Sequence, residues 1–434
     1  MSGETIFEFD AVAPLGAGAG VTEVPAEVFA WLERTCLQTA ERGEAAWLRL
    51  TQRRGRRVVQ VTSFVGVMRS PNGFQLEVLP KLGRAIEGGA PAARRLLIDM
   101  LKCLPGFRHI RTDSAHLLAT KMPLLEVFIA EFLSAVGHVV KRGLRREYVP
   151  EQSNLFALRG KLLVSQQLRQ NLQRPDRFFT DHDEFSPNRP ENRLLHAALR
   201  KVLGVTVSQF NQRLARELTF VFADVPLSSN VREDLQRVRI DRGMSHYADA
   251  VAWARLILQE ESPLTGAGEN DSPSLLFPME ALFEAFVAKH LAEQLQNPLV
   301  LKTQARLHHL VRHQGADWFR LKPDMLVRDA AGEWLVLDTK WKLIDSRKSN
   351  GTDKYGLAQS DFYQLQAYGQ SYLQAKGDVV LVYPMTEVFE RALPVFDFPH
   401  AVDLRLWVVP FCLRTRTLMA PDASPFKACL QRPA

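Results

Sequence analysis

The sequence predicts an α/β protein: a C-terminal mixed sheet flanked by helices, set after an α+β N-terminal region. Three observations lead there. Past residue 277 the hydrophobic pattern runs helix, strand, hairpin, helix, strand, the alternation of a layered α/β domain. Ahead of it, β-branched runs and helical spacings mix without that alternation. Between the two lies SPLTGAGENDSPS, residues 262–274, rich in Gly, Ser, Pro and Asn, which reads as a linker.

Length agrees with a divided chain, since 434 residues exceed one typical domain and suggest two or three. The divisions read are 1–115, mixed β/α; 116–265, mainly helical; and 275–434, the C-terminal domain. Hydrophobic residues at 46% and charged residues at 24% support a sizeable core and exclude global disorder. A net charge of +7 and a pI near 9.3 suit a phosphate-bearing partner without demanding one. The basic residues cluster at Arg49, Arg53, Arg54, Arg56 and Arg57, and again at Lys141, Arg142, Arg145 and Arg146. Each cluster fits a solvated turn as well as it fits a contact surface. Cys36, Cys103, Cys412 and Cys429 are far apart with no CxxC spacing, so a reduced, intracellular protein without a zinc site is expected. The opening MSGETIFEFD has no signal-peptide apolar core, and the most apolar helix, MPLLEVFIAEFLSAVGHVV, is interrupted by Glu126 and Glu131. The expectation is a soluble, cytoplasmic protein with no membrane partner.

The elements follow in order. RRVVQVTSFVGVMRS, the turn Ser70-Pro71-Asn72-Gly73 and FQLEVLPKLG predict a hairpin. APAARRLLIDMLKCL has helical spacing at Leu96, Leu97, Met100, Leu101 and Leu104, and a longer helix covers 123–142 and stops at Gly143. Residues 144–185 give mixed signals. Pro190-Glu191 opens another helix, and two more follow near 206–221 and 244–260. FPMEALFEAFVAKHLAEQL predicts an amphipathic helix through Met279, Leu282, Phe283, Phe286, Val287 and Leu291. Next come a hairpin over 321–345 with Ala330-Ala331-Gly332 at its turn, the helix SDFYQLQAYGQSYLQ and the buried strand DVVLVYP.

The hairpin carries the chemistry. Asp338 and Lys340 lie two residues apart in a strand of Leu, Val and Trp, so alternation points both to one face with Thr339 opposite. Asp324, on the preceding strand after Pro323, is expected across from Asp338. Two close carboxylates resist joint ionisation, and a divalent cation with hard oxygen ligands, such as Mg²⁺, removes that conflict. A lysine beside them can orient or deprotonate a water or stabilise phosphate charge, the chemistry of metal-assisted phosphodiester hydrolysis. Gln364 and Tyr368, four apart, share one face of the following helix.

PD-x13-D-x-K followed by QxxxY on a helix resembles the PD-(D/E)XK nuclease superfamily, in its RecB-like branch. The resemblance implies a restriction-endonuclease-like C-terminal fold. It implies Asp324 and Asp338 as metal ligands, Lys340 as the catalytic lysine, and Gln364 and Tyr368 as supporting residues. Glu284, in the helix ahead of the hairpin, matches the place of an added glutamate, and Thr339 is counted with the metal-holding positions. LEVLPKLG (76–83), LRGKLL (158–163), DEFSPNRPENRLL (183–195) and FPMEALFEAFV (277–287) further resemble segments of the McrC family, in family order. That family supplies the nuclease subunit of McrBC-type, modification-dependent restriction systems. The similarity runs from about residue 60 to the end of DVVLVYP.

The chain has no GxxxxGK[ST], so it is expected to bind no nucleotide itself. The resemblance therefore implies a separate McrB-like AAA+ GTPase ring that recognises and moves double-stranded DNA, with residues 1–115 as the partner-binding region. The implied activity is a Mg²⁺-dependent endonuclease, Mn²⁺ being an acceptable substitute. Two other readings stay open: a regulatory adaptor with a silent nuclease fold, and a stand-alone RecB-like repair nuclease.

Overall fold

The structure, a computed structural model, describes residues 3–18, 20–41, 46–84, 89–104, 123–259, 274–329 and 332–430. The expected hairpin forms from Phe64–Arg69 and Gln75–Leu79, paired antiparallel. Its turn is closed by Gly73 N–H donating to Ser70 O at 2.9 Å, with Gly73 at φ 86°. Gly3–Phe7 adds to this pair on one side and Ser274–Pro278 on the other, making a four-stranded sheet. Phe277 and Pro278, expected to begin a helix, instead end that last strand, and the helix is Met279–Gln294. Proline has no N–H to continue a ladder, which makes it a natural boundary between the two. Residues 262–273 of the expected linker and the turn pair Ala330-Ala331 lie outside the described residues.

A second sheet orders Thr22–Val24, Ala11–Pro14, Arg56–Val61 and Leu48–Arg53, with the helix Ala26–Glu41 against it. Arg54 and Gly55 both adopt positive φ, 51° and 76°, as a two-residue hairpin turn requires. The first basic cluster therefore sits on a hairpin, most of it at the tip. In the middle of the chain the helices Gly89–Leu101, Leu124–Arg142, Pro190–Val205, Gln209–Val221 and Ala248–Gln259 contribute to one core that includes Phe128, Phe132, Phe222, Tyr247 and Trp253. Glu126 is buried there because it joins helices: it accepts from Thr206 Oγ1, Val207 N and Asn211 Nδ2 at 2.7, 2.7 and 2.8 Å. Where the sequence gives mixed signals, Glu147–Leu155, Phe178–Ser186 and Lys161–Leu162 form a three-stranded sheet with exposed Tyr148 and Phe185.

The C-terminal part is built on a seven-stranded mixed sheet. Its order is Val300–Thr303, Met325–Arg328, Glu333–Thr339, Gly377–Pro384, Ala401–Cys412 and Phe396–Phe398, with Thr417–Leu418 also paired to Ala401–Cys412. Glu333–Thr339, Gly377–Pro384 and Ala401–Cys412 run parallel. The helix Gln359–Leu373 makes the crossover between the first two. Alternation divides the hairpin's apolar residues between two faces. Met325, Val327, Leu335 and Leu337 join the core containing Phe283 and Phe286 of the helix Met279–Gln294. Leu326 and Val336 join the core containing Leu365 and Tyr368 of the helix Gln359–Leu373. Asp338 and Lys340 continue the alternation of Val336, which directs them toward the helix bearing Gln364.

Candidate active site

The hairpin register pairs Met325 with Leu337 and Leu326 with Val336. Extended by one residue, it sets Asp324 opposite Asp338. Asp324 itself lies one residue before the strand rather than within it, since the pairing begins at Met325, after Pro323 has removed a donor. Asp324 Oδ2 accepts two hydrogen bonds from Thr339, from its N–H and its hydroxyl, both at 2.7 Å. Asp338 is 1% exposed, and its Oδ2 stands 2.6 Å from Lys340 Nζ. That contact is an ion pair without hydrogen-bond alignment, and Asp338 Oδ2 has no aligned donor.

The lysine is held from the other side. Lys340 Nζ donates to Gln364 Oε1 at 3.1 Å, Gln364 Nε2 donates to Tyr368 Oη at 2.7 Å, and Tyr368 Oη donates to Lys322 O at 2.9 Å. The i, i+4 pair on the helix thus forms one relay from the ammonium back to the segment just before Asp324. Glu284 reaches the same place from the helix Met279–Gln294. It accepts from Gln304 Nε2, while Gln304 N–H donates to Asp324 O at 2.9 Å. All seven residues read from the sequence, Asp324, Asp338, Thr339, Lys340, Glu284, Gln364 and Tyr368, belong to one neighbourhood.

Three neighbours were not among them. Gln304 holds Glu284, and Tyr383 Oη donates to Asp361 Oδ2 at 3.2 Å. Asp361 in turn acts electrostatically on Asp338 and Lys340. Asp361 lies three residues before Gln364, on the same helical face, and that spacing could have found it. Gln304 comes just after the strand Val300–Thr303 and Tyr383 from the strand Gly377–Pro384, and nothing in the motif points to them.

Crowded acids dominate the electrostatics. Burial first, and then Asp324, push the Asp338 carboxyl up to about 7, against the pull of Lys340. Burial and the charge of Asp324 likewise push Glu284 up to about 7, although Gln304 opposes them. Asp324 is raised by burial despite its two bonds from Thr339. Burial disfavours the Lys340 ammonium, but Asp338, Asp361 and Asp324 outweigh it and hold the amine above its ordinary value. The acidic neighbours thus favour the charged form of Lys340.

The donor set fits a hard divalent cation: three carboxyl groups share a pocket that resists their joint ionisation, and one buried oxygen lacks an aligned donor. Asp324 is engaged by Thr339, Glu284 by Gln304 and Asp338 by Lys340. Among the described residues no three His, Cys, Asp or Glu side chains form a ready cage for a metal ion. A cation would have to draw these oxygens from their present partners.

The basic clusters lie elsewhere. Arg53, Arg54 and Arg56 line a cavity of about 630 Å³ beside Ala17, Gly20 and Val21. Arg57 pairs with Glu33 at 3.1 Å, and Arg56 Nη1 donates to Gly16 O at 2.6 Å. Lys141 and Arg142 end the helix Leu124–Arg142. Its C-terminal dipole favours cations there. All four cysteines are free thiols. Among the described residues no helix is long and apolar enough to cross a membrane.

Fold and site together define a mixed α/β protein with a carboxylate–lysine centre where two strands of its largest sheet meet a crossover helix. The model of the family described as "McrBC 5-methylcytosine restriction system component" matches residues 59–384, and the chain belongs to that family. No curated protein matches it. Among solved structures it is similar to a chain of the refined half-complex from a tetradecameric assembly of Thermococcus gammatolerans McrB AAA+ hexamers with bound McrC. That match has a TM-score of 0.72 at 20% identity and covers 95% of each chain. A chain of the cryo-EM structure of the Thermococcus gammatolerans McrBC complex matches with a TM-score of 0.51 at 21% identity. It covers 66% of this chain and 86% of that one. At these identities the likeness is one of fold.

Proposed function

We propose that this chain is the DNA-cleaving subunit of a McrBC-type restriction system, with a PD-(D/E)XK-type site that hydrolyses phosphodiester bonds. The observation that carries the reading is the line Asp338–Lys340–Gln364–Tyr368, closed onto Lys322 beside Asp324 and Glu284. A surface hairpin has no use for a buried, unaligned carboxylate and a tethered ammonium. Asp324, Asp338 and Glu284 would hold Mg²⁺, or Mn²⁺ in its place. The Thr339 hydroxyl is engaged with Asp324, so its carbonyl oxygen is the atom left to offer. The ion supplies Lewis acidity and a water of lowered pKa when bound. Lys340, kept protonated by its acidic neighbours, donates to a phosphate oxygen as charge develops, while Gln364 and Tyr368 fix its direction.

Family membership, and similarity to structures that contain McrB AAA+ hexamers, support a McrB-like GTPase ring as partner. The nucleotide belongs to that partner, as does recognition of modified DNA. The test is cleavage of methylated double-stranded DNA by the chain assembled with its GTPase. Asp338→Ala and Lys340→Ala are each expected to lose at least about a hundredfold in rate, with stimulation of GTP hydrolysis retained. Wild-type cutting by either variant would falsify the site. Cutting by the purified chain alone would favour a stand-alone nuclease. GTPase stimulation with no cutting under any condition would leave only an adaptor.

A further inference from the structure

The LPKLG segment carries no part of the reaction proposed above, yet Lys81 within it reaches the active-site strand. Lys81 Nζ donates to Trp341 O at 3.3 Å, one residue past Lys340, and lies 5.5 Å from the centre of the Trp341 ring. Glu8 accepts the Trp341 indole N–H on both oxygens, at 3.0 and 3.1 Å, and accepts from Lys81 N at 2.9 Å. Both Glu8 and Trp341 are buried. The same sheet also grips the other arm of the site. Met279 N–H donates to Ser63 O at 2.9 Å, and Ser63 Oγ donates to Glu280 Oε1 at 2.7 Å, one helical turn before Glu284. Phe283 and Trp341 close the junction with ring centres 5.4 Å apart.

We infer that Glu8, Ser63 and Lys81 are positioning residues: the N-terminal sheet clamps the strand end of Lys340 and the helix start of Glu284 and so sets the distance between them. A half-buried ammonium and a buried carboxylate that meet on one tryptophan are costly to leave unpaired, which resists displacement of the junction. The N-terminal region is thereby a lever on the site, and anything that moves it moves Lys340 relative to Glu284. This rests on the nuclease reading only for its consequence in rate; the clamp itself is read independently.

Two variants of the full chain test it. Lys81→Met keeps the aliphatic stem and removes the ammonium, and Trp341→Phe keeps a ring and removes only the indole donor. The first measurement is amide hydrogen exchange at Thr339–Lys342, where Thr339 N–H donates to Asp324 and Lys340 N–H to Val382 O. Both variants are expected to speed exchange there about tenfold while leaving the helix Pro190–Val205 unchanged. The second is cleavage by the assembled complex, in which kcat is expected to fall about tenfold and KM for DNA to stay level. Unchanged exchange in both variants overturns the clamp, whether or not the chain cuts DNA. Faster exchange with undiminished kcat overturns the positioning role. Loss of cleavage in Asp338→Ala but not in wild type establishes the nuclease reading separately, so the two failures cannot be confused.

Discussion

Asp338 carries a burden that pH should reveal. A carboxyl whose pKa is higher folded than unfolded gains a proton on folding, so the stability linked to it is fullest below its unfolded pKa of about 4 and is lost as pH rises toward the folded value. Asp338 and Glu284, both pushed up to about 7, act in the same direction over this window. Melting temperature without divalent cation is therefore expected to fall between pH 5 and pH 7 and to level off above. Asp338→Asn removes the buried charge while Lys340 keeps Asp361 and Asp324 close by. The variant should melt higher than wild type at pH 8, by at most about 4 kcal/mol in stability, and show a shallower pH slope. Added Mg²⁺ should raise wild type more than the variant. A variant that melts lower at pH 8 would mean that Lys340 depends on Asp338 more than the carboxylates repel. At this scale the sequence was most legible: Asp324, Asp338, Lys340, Gln364 and Tyr368 sit at spacings that alternation and the helical turn convert directly into shared faces. Gln304 and Tyr383 stayed hidden because sheet neighbours chosen by the fold, not by local period, bring in the residue after one strand and a residue within another.

The strand Ser274–Pro278 marks the limit of that legibility among the elements. Five residues, SLLFP, give no hint of which sheet they will enter, and their partner Phe64–Arg69 lies some two hundred positions earlier. Gly66 is the physical trace of the pairing. It adopts φ 134°, and a Cβ there would stand 1.9 Å from Leu275 O, a backbone atom that cannot swing aside. Gly66→Ala is expected to cost more than about 3 kcal/mol, seen as a loss of melting temperature or of soluble protein. Glycine at this position is required by the approach of the next strand as well as by its own dihedral. A near-wild-type melt for the alanine variant would show that the two strands can separate without consequence. The hairpin at 70–73 and the helices opened by Pro190 and closed by Gly143 were legible by contrast, because turn and cap residues act on their immediate neighbours.

At the scale of the molecule, one hydrophobic core joins residues from both sides of residues 260–273. Val65, Leu79, Leu97, Phe128 and Trp253 share it with Leu275, Phe277, Phe283, Leu337 and Trp341. Buried apolar surface of this kind contributes about 25 cal/mol per Å², and the polar contacts of Glu8, Ser63 and Lys81 add direction to it. A segment carrying the whole motif from Glu284 to Tyr368 therefore lacks the surface that its own core needs. The chain expressed as two pieces, ending at 261 and starting at 272, is expected to assemble and purify as a complex that melts near the intact protein. The second piece alone should be insoluble or melt without a cooperative transition, because Leu275, Phe277 and Trp341 lose their cover. Lys81→Met should weaken the association of the two pieces without abolishing it, since the apolar contacts remain. The decisive measurement is the behaviour of the isolated second piece. If it is monomeric and melts cooperatively within a few degrees of the full chain, the C-terminal half folds without the N-terminal sheet, and the lever drawn from Glu8 and Lys81 has nothing to act through.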